Sequence, residues 1–312
     1  MENKIKNKFL KRKKPLNEKL FIFFCMLYPL THLFIFGILP NVMTIFMAFQ
    51  RPYILENKMV FDFGYNFKLF FQNFASPRSD MPRFILNSVL YFPVIAFGML
   101  PLSVIAAYFC YRKIKFSNIF RFIFFLPNVI PVVIMGFVYR AMWDNNFGPI
   151  NRLLIDAFNM PVESVPAWLL DPKYAMGMLY IYCIWAGIGF NVVVLNGAMT
   201  RVPAEIFESA RIDGVKIPRE IVQIVVPLVW PTLTILLVSA LMAVFLQSVH
   251  PLIITPGQIG KTTTIGLLIL NAVMEGKVYY AAAMGILFSV IAIPLVQLFR
   301  RFLERLIDTT EV

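Results

Sequence analysis

Six long stretches of this 312-residue chain contain no Asp, Glu, Lys or Arg. Because roughly 20 apolar residues let a helix cross the hydrocarbon core of a bilayer, each stretch is interpreted as one transmembrane helix, and the fifth also holds the start of a loop. The chain is 59% hydrophobic and only 15% charged, which suits lipid rather than water. We therefore predict an all-α integral membrane protein with six transmembrane helices, at residues 20–50, 84–111, 122–139, 174–200, 221–260 and 278–299.

The distribution of Lys and Arg predicts the orientation, since cytoplasmic loops retain positive charge. With the N-terminus inside, the inner segments hold 19 of the 29 Lys and Arg residues. Both termini are therefore expected in the cytoplasm. The formal net charge of +12 comes mostly from the tail at residues 4–14. Beside a first transmembrane helix, such a run acts as an orientation signal and attracts anionic lipid, so nucleic-acid binding is not expected.

The same features divide the chain into three parts. Residues 1–83 hold the basic cytoplasmic tail, the first transmembrane helix and an outer segment, residues 84–300 form a core of five transmembrane helices, and residues 301–312 form a cytoplasmic tail. A further uncharged stretch at 262–274 would reach only about 20 Å as a helix. We expect it to dip into the membrane or lie flat on it.

Residues 208–220, called the charged segment below, interrupt the apolar sequence on the inner side. Pro203 suits the first turn of a helix, Gly214 can end that helix in the left-handed conformation, and Pro218 can begin a second helix. The segment thus predicts a helix, a sharp turn and a helix. Phe207, Ala210 and Arg211 would share one face of the first helix, and Glu208 is spaced to pair with Arg211. A short helix of this kind fits a groove in a soluble partner.

The charged segment resembles a known signature. Glu208, Ser209, Ala210, Asp213, Gly214, Ile224 and Pro227 match in spacing the E-A-A, G and I-x-L-P positions of permease subunits of binding-protein-dependent ABC importers. Ser209 replaces the second position of the signature, and Val226 replaces its Leu. The resemblance implies the type I ABC importer permease fold, with a coupling helix at 203–220 that seats in a cleft of an ATPase subunit. The residues it assigns to ATPase coupling are Glu208, Ser209, Ala210, Asp213, Gly214 and Pro227.

Other motifs resemble the carbohydrate-uptake branch of that family, the maltose-transporter-like permeases. They lie at 87–88, 125–128, 185–191 and 255–264, so the likeness covers roughly residues 84–300. The resemblance implies a multi-pass protein of the plasma membrane that translocates a carbohydrate, an oligosaccharide in particular. Its implied partners are a second, related permease in a heterodimer, two ABC ATPase subunits and an extracytoplasmic solute-binding protein.

Residues 255–262 almost spell the phosphate-binding loop G-x-x-x-x-G-K-T, with Thr255 in place of the first Gly. That loop needs a preceding strand and a following helix, whereas this stretch follows an apolar run on the outer side. We therefore expect no cofactor in this chain, and ATP and Mg²⁺ bound by the partner ATPase. Neither a metal motif nor a catalytic set is recognised, so the chain is interpreted as a transport subunit rather than an enzyme.

Uncharged polar and aromatic side chains within the spans are candidates for the substrate pathway, since amides exchange hydrogen bonds with sugar hydroxyls. The alternative for each is a hydrogen bond between helices. The candidates are Asn128, Tyr182, Trp185, Asn191, Asn196, Gln247 and Ser248.

Three other functions remain open. An ABC permease for a peptide or amino acid would be expected to place charged or helix-end groups near its substrate. An ion-coupled secondary carrier normally has ionisable residues within its spans, and no Asp, Glu, Lys or Arg interrupts the six apolar stretches. A membrane-embedded enzyme would need catalytic residues, and no catalytic motif is recognised.

Overall fold

The computed structural model describes residues 16–53, 58–145, 147–159, 161, 164–256 and 261–306. The basic tail at 4–14, part of the phosphate-loop-like motif at 257–260 and the last six residues lie outside this description. Among the described residues, the helices are joined by turns and loops, and the strands form one antiparallel hairpin of β1 (Gln50–Tyr53) and β2 (Lys58–Phe61), in which Gln50 pairs with Phe61. The predicted all-α class thus holds as a mostly helical chain, to which the sequence interpretation had not added this one hairpin.

The helices have the following bounds: α1 Asn17–Ala48, α2 Tyr65–Ala75, α3 Met81–Tyr111, α4 Ser117–Val129, α5 Val132–Met142, α6 Pro149–Phe158, α7 Ala175–Met199, α8 Ala204–Ile212, α9 Ile217–Leu228, α10 Trp230–Leu246, α11 Val249–Ile254, α12 Ile265–Met274 and α13 Val278–Leu306.

Four of the described helices, α1, α3, α7 and α13, are long and apolar enough to cross a membrane. Two further candidates are bent pairs, α4 with α5 at 106° and α9 with α10 at 82°. The stretch at 122–139 is therefore not the single continuous helix that the sequence predicted. The short α12 is consistent with a segment that does not cross by itself.

Proline explains the break between α4 and α5. The ring of Pro131 disfavours the helical conformation at the preceding residue, and Ile130 is extended, with φ −82° and ψ 136°. Hydropathy alone does not reveal this, because the apolar sequence continues without interruption through Ile130.

Three π-helical turns lie just before other prolines. The turns Leu33–Ile38, Val94–Met99 and Ile221–Val225 each end two residues before a proline, at Pro40, Pro101 and Pro227 respectively. A proline within a helix lacks an N–H and its ring collides with the carbonyl four residues earlier. In all three cases that carbonyl belongs to the π turn, whose wider spacing accommodates the ring, so the helix continues where a break would be expected.

In the central block of helices, α7 packs against both α3 and α4, and α10 packs against α13. We call the end of this block near Ala48 and Asn87 the hairpin end, and the end near Tyr111 and Phe207 the segment end. A cluster of buried side chains at the segment end joins α3, α7, α9 and α10, and includes Phe207 of α8. A second cluster joins α3, α5, α7 and α10 towards the hairpin end.

Helix α1 contrasts with this core. Every residue from 17 to 46 except Gly37 is exposed. Its contact with the rest of the chain is at the hairpin end, where Ala48 packs among Ala282 and Ala283 of α13. Most of α1 therefore presents its apolar side chains to the surroundings of the chain.

Substitution at Gly189 is expected to separate α7 from α4. A Cβ at Gly189 would lie 1.9 Å from the backbone carbonyl oxygen of Phe124, whereas a Cβ at Gly197 of the same helix would meet nothing within 4 Å. Gly189→Ala should lower the free energy of unfolding by roughly 1–3 kcal/mol, as overpacking does. Gly197→Ala should leave it unchanged or raise it slightly. Thermal unfolding of the two purified variants in detergent compares them, and equal melting temperatures would contradict the close approach.

Candidate functional site

A cavity of about 500 Å³ opens where α4 breaks from α5. Two stretches of non-helical backbone meet there, Ile130 between α4 and α5, and Gln247 between α10 and α11. Helix α7 supplies the opposite wall through Tyr182, Cys183 and Gly187. The other residues that line the cavity are Ile95, Met99, Pro127, Asn128, Val129, Pro131, Val132, Ala186 and His250.

The polar side chains of this cavity are amides, a phenol, a thiol and an imidazole. Asn128 lies at its edge and donates from Nδ2 to the carbonyl oxygen of Ala186 at 2.9 Å. His250 lies with its ring centroid 5.1 Å from that of Tyr182, and its Nδ1 is 4.0 Å from the Sγ of Cys183. No Asp, Glu, Lys or Arg is among the described residues that line the cavity. The site can thus exchange hydrogen bonds and offer aromatic surface, but it holds no counter-ion.

The structure brings three of the predicted pathway residues together, since Asn128, Tyr182 and Gln247 all line this cavity. Trp185 lies beside it, with its ring centroid 6.2 Å from that of Tyr182 and 6.0 Å from that of Tyr139. Ser248 lies next to Gln247 but not in the lining.

The remaining two candidates lie elsewhere on α7. The side chain of Asn196 accepts from Arg121 Nη2 at 2.7 Å and donates to the carbonyl oxygen of Ala107 at 3.3 Å, so it joins α3, α4 and α7. For this residue the structure favours the alternative, a hydrogen bond between helices. Asn191 is buried outside the cavity, and its Nδ2 has no hydrogen-bond partner among the described residues.

His250 and Cys183 belong to the cavity and were missed as candidates. The sequence places His250 near the end of an apolar stretch, without any pattern that pairs it to Cys183, which lies 67 residues earlier. A usable signal was Pro131, because a proline in an apolar stretch marks the break on which the cavity depends.

The phosphate-loop-like stretch has a different role. It is preceded by helix α11 rather than a strand, and the described threonines Thr255 and Thr262 are buried with their hydroxyl oxygens 2.8 Å apart. Asn87 donates to the carbonyl oxygens of Lys261 and Thr263, both at 2.9 Å. Two of the motifs that carried the family resemblance, at 87–88 and 255–264, thus contact each other, and they hold the N-terminus of α12.

Thr264 connects this loop to the cavity. Its hydroxyl accepts from the backbone N–H of Leu267, as an N-cap does, and donates to the carbonyl oxygen of Gln247. The extended backbone at Gln247 is therefore held by the N-terminus of α12.

The charged segment forms the predicted helix, turn and helix. Gly214 has φ +70°, its N–H donates to the carbonyl oxygen of Arg211, and the N–H of Val215 donates to that of Ala210. These two bonds form a Schellman motif, which requires the left-handed conformation that glycine adopts without strain. Pro218 lies in the first turn of α9, whereas Pro203 precedes α8 instead of entering its first turn.

Two details of the segment differ from the sequence interpretation. Phe207 and Ala210 are buried against the chain's own helices, whereas Arg211 is exposed, so the three do not form one common surface. Ala210 therefore faces the membrane helices and is unavailable to a groove in a partner. Glu208 and Arg211, both described, form no ion pair. The exposed side chains of α8 and of the residue that follows it include those of Glu205, Glu208, Ser209, Arg211, Ile212 and Asp213.

Two curated proteins are similar in sequence to part of this chain. The diacetylchitobiose uptake system permease protein NgcF of Streptomyces coelicolor is 29% identical over 188 residues, which are 58% of this chain and 52% of that protein. The maltose/maltodextrin transport system permease protein MalF of Escherichia coli is 25% identical over 185 residues, 58% of this chain and 34% of that protein. The chain thus spans about half or less of the length of these relatives.

Solved structures share the fold. A chain of a bacterial ABC transporter involved in the import of the acidic polysaccharide alginate superposes with a TM-score of 0.77 at 21% identity, covering 92% of this chain and 96% of that one. A chain of a bacterial alginate ABC transporter in complex with a periplasmic protein bound to an alginate pentasaccharide gives 0.77 at 22% identity, covering 95% and 98%. The type I ABC importer permease fold is therefore confirmed.

A match to a protein-family model shows which family the chain belongs to. The model for the binding-protein-dependent transport system inner membrane component matches residues 99–309, more than half of the chain. The match includes the charged segment, α7 and both bent pairs, and it confirms the resemblance drawn from the sequence. This multi-pass membrane protein belongs to the family of binding-protein-dependent transport system inner membrane components.

Proposed function

We propose that this chain is the membrane-spanning permease subunit of an ATP-driven importer that translocates an uncharged oligosaccharide. The observation that carries the substrate class is the uncharged cavity at the breaks near Ile130 and Gln247, with amides and aromatic rings in or beside its walls. The names of the relatives point the same way, since they are permeases for diacetylchitobiose and for maltose or maltodextrin.

The proposal includes six transmembrane spans with both termini in the cytoplasm. The spans are α1, α3, α4 with α5, α7, α9 with α10, and α13. The hairpin end then faces outward and the charged segment faces the cytoplasm, in keeping with the excess of Lys and Arg there. Residues 1–83 form the tail, first span and outer segment, 84–300 the permease core, and 301–312 a cytoplasmic tail.

The partners follow from the family's dependence on a binding protein. A second, related permease pairs with this chain in a heterodimer, and an extracytoplasmic binding protein delivers the sugar at the hairpin end. Two ATPase subunits, which bind ATP and Mg²⁺, dock at the charged segments. On this chain Glu208, Ser209 and Asp213 offer exposed groups to the ATPase, Ala210 and Gly214 fix the shape of the segment, and Pro227 lies in the helix α9 that continues from it.

Transport then proceeds by alternating access around the cavity. Closure of the ATPase dimer on ATP draws the two charged segments together and opens the cavity outward, and hydrolysis resets it inward. In the cavity Asn128 and Gln247 exchange hydrogen bonds with sugar hydroxyls, and Tyr182 and Trp185 offer ring surface to the C–H faces of the sugar. The amide of Asn196, already bonded to Arg121 and Ala107, keeps the helices together.

Reversal of charge at Glu208 should uncouple the transporter. Glu208 is exposed, so Glu208→Lys should insert in the membrane normally, yet it should abolish uptake because the ATPase meets the wrong charge. Glu304→Lys is the matched control, since it breaks only an exposed pair with Arg300, an interaction worth ~0–1 kcal/mol. Uptake and sugar-stimulated ATP hydrolysis are measured in proteoliposomes. Sugar-stimulated hydrolysis retained by Glu208→Lys would contradict a coupling role.

A substitution in the cavity should lower uptake, whereas a substitution in the helix interface should lower the melting temperature. Gln247→Leu should lower uptake about tenfold, because loss of one hydrogen bond to substrate costs about 1.4 kcal/mol, and should leave the melting temperature unchanged. Asn196→Leu removes the acceptor of Arg121, so it should lower the melting temperature by a few degrees. Sugar uptake and thermal unfolding of the same preparations distinguish them. A drop in melting temperature for Gln247→Leu with no change in uptake would contradict the assignment.

Acidic oligosaccharides should be poor substrates. A carboxylate that enters a cavity without a cation loses hydration that nothing replaces. Competition with labelled maltodextrin uptake by neutral and by uronate oligosaccharides of equal length measures the preference, with the binding protein present in excess. We expect neutral competitors to inhibit uptake and uronates to have no effect at about tenfold excess. Equal inhibition by both would show that charge is tolerated.

A further inference from the structure

Two contacts tie the charged segment and its flanking helices to neighbouring residues at the end of α3. On one side, the ring of Phe207 in α8 is 3% exposed and lies with its centroid 5.0 Å from that of Tyr111. On the other side, Oε2 of Glu220 in α9 lies 2.7 Å from Nη2 of Arg112. Since Tyr111 ends α3 and Arg112 follows it directly, α8 and α9 both rest on the C-terminal end of α3.

The ion pair is the more specific of the two contacts. The side chain of Glu220 is 1% exposed, and that of Arg112 is 18% exposed. Arg112 also donates from Nε to the hydroxyl of the buried Tyr108 at 2.8 Å, which orients the guanidinium. Oε1 of Glu220 has no hydrogen-bond partner among the described residues. A carboxylate buried to this extent depends on its one cation, since an unpaired buried charge is strongly unfavourable.

Helix α3 leads from this ion pair to the cavity. Ile95 and Met99 line the cavity, and Arg112 follows Met99 by 13 residues, about 20 Å along a helix. The π turn Val94–Met99 lies at the level of the cavity, where a helix can change direction without breaking. The covalent route from the segment to the cavity runs instead through α9 and α10, which meet at an 82° bend. A displacement along α9 is poorly transmitted around such a bend.

We propose that Arg112 and Glu220 are positioning residues that transmit movement of the charged segment to the cavity through α3. The inference rests on the proposed function, because it assumes that ATPase subunits move the segment. When they do, the ion pair makes the part of α3 that follows the π turn move together with α9. That part of α3 rotates about the π turn and shifts Ile95 and Met99 against Tyr182 and Cys183 of α7, which changes access to the cavity.

Cys183 provides a reporter that needs no knowledge of the sugar. It lines the cavity and is 8% exposed, and its reaction with N-ethylmaleimide can be read by peptide mass spectrometry. The assembled transporter in nanodiscs is compared without nucleotide and after trapping with Mg-ATP and vanadate. ATP hydrolysis is measured on the same preparations.

The wild-type complex should show a change in the labelling rate of Cys183 of about tenfold between the two states. Arg112→Gln and Glu220→Gln should reduce this change to less than about twofold while ATP hydrolysis continues. The exchanged pair R112E/E220R should restore it. The matched control is Arg300→Gln, which breaks the exposed pair with Glu304, also at 2.7 Å but within α13. It should behave as the wild type.

Three outcomes separate the possibilities. A full labelling change in both single variants would overturn the role of the ion pair. If the single variants do not accumulate in the membrane, the double variant R112L/E220L is tested instead. It leaves no buried charge without a partner and should therefore fold. A full labelling change in that variant would also overturn the proposal. A wild-type complex with active ATPases and no labelling change would instead contradict the proposed function.

Discussion

The backbone of a chain in lipid must satisfy its own hydrogen bonds, and this requirement organises the structure. Non-helical backbone at membrane depth is tolerated where it is buried in protein or lines a cavity. In this chain the extended residues Ile130 and Gln247 both line the same cavity, and the carbonyl of Gln247 accepts from Thr264. These two breaks, which would be costly in lipid, are thus gathered at one place, and that place is the candidate substrate site.

Composition and local turn chemistry predicted much of this fold. Charge-free stretches located the helices, and Gly214 and Pro218 located the turn between α8 and α9, because these features depend on residues close in sequence. The break at Ile130 was not predicted, because the sequence around it is continuously apolar and its only signal was one proline among many. The sequence also did not predict which face of α8 is buried. Ala210 is buried and Glu208 is exposed only because other helices pack against one side of α8.

The pathway residues show the same limit. Amides within apolar helices are correctly expected to face protein, but whether they face a cavity or another helix depends on distant residues. Asn196 is bonded to Arg121, 75 residues earlier, and Asn128 to Ala186, 58 residues later. No local pattern distinguishes these two asparagines. His250 was missed for the same reason, because its neighbours Tyr182 and Cys183 belong to α7.

The attachment of α1 at one end has a mechanical consequence. The helix is 32 residues long, about 48 Å, and its side chains are exposed up to residue 46, so contacts with Ala282 and Ala283 fix it near the hairpin end only. A rod held at one end amplifies small rotations at its fixed point into large displacements at its free end. The position of the N-terminal half of α1 is therefore set by the lipid or protein that surrounds it, and much less by the chain to which it belongs.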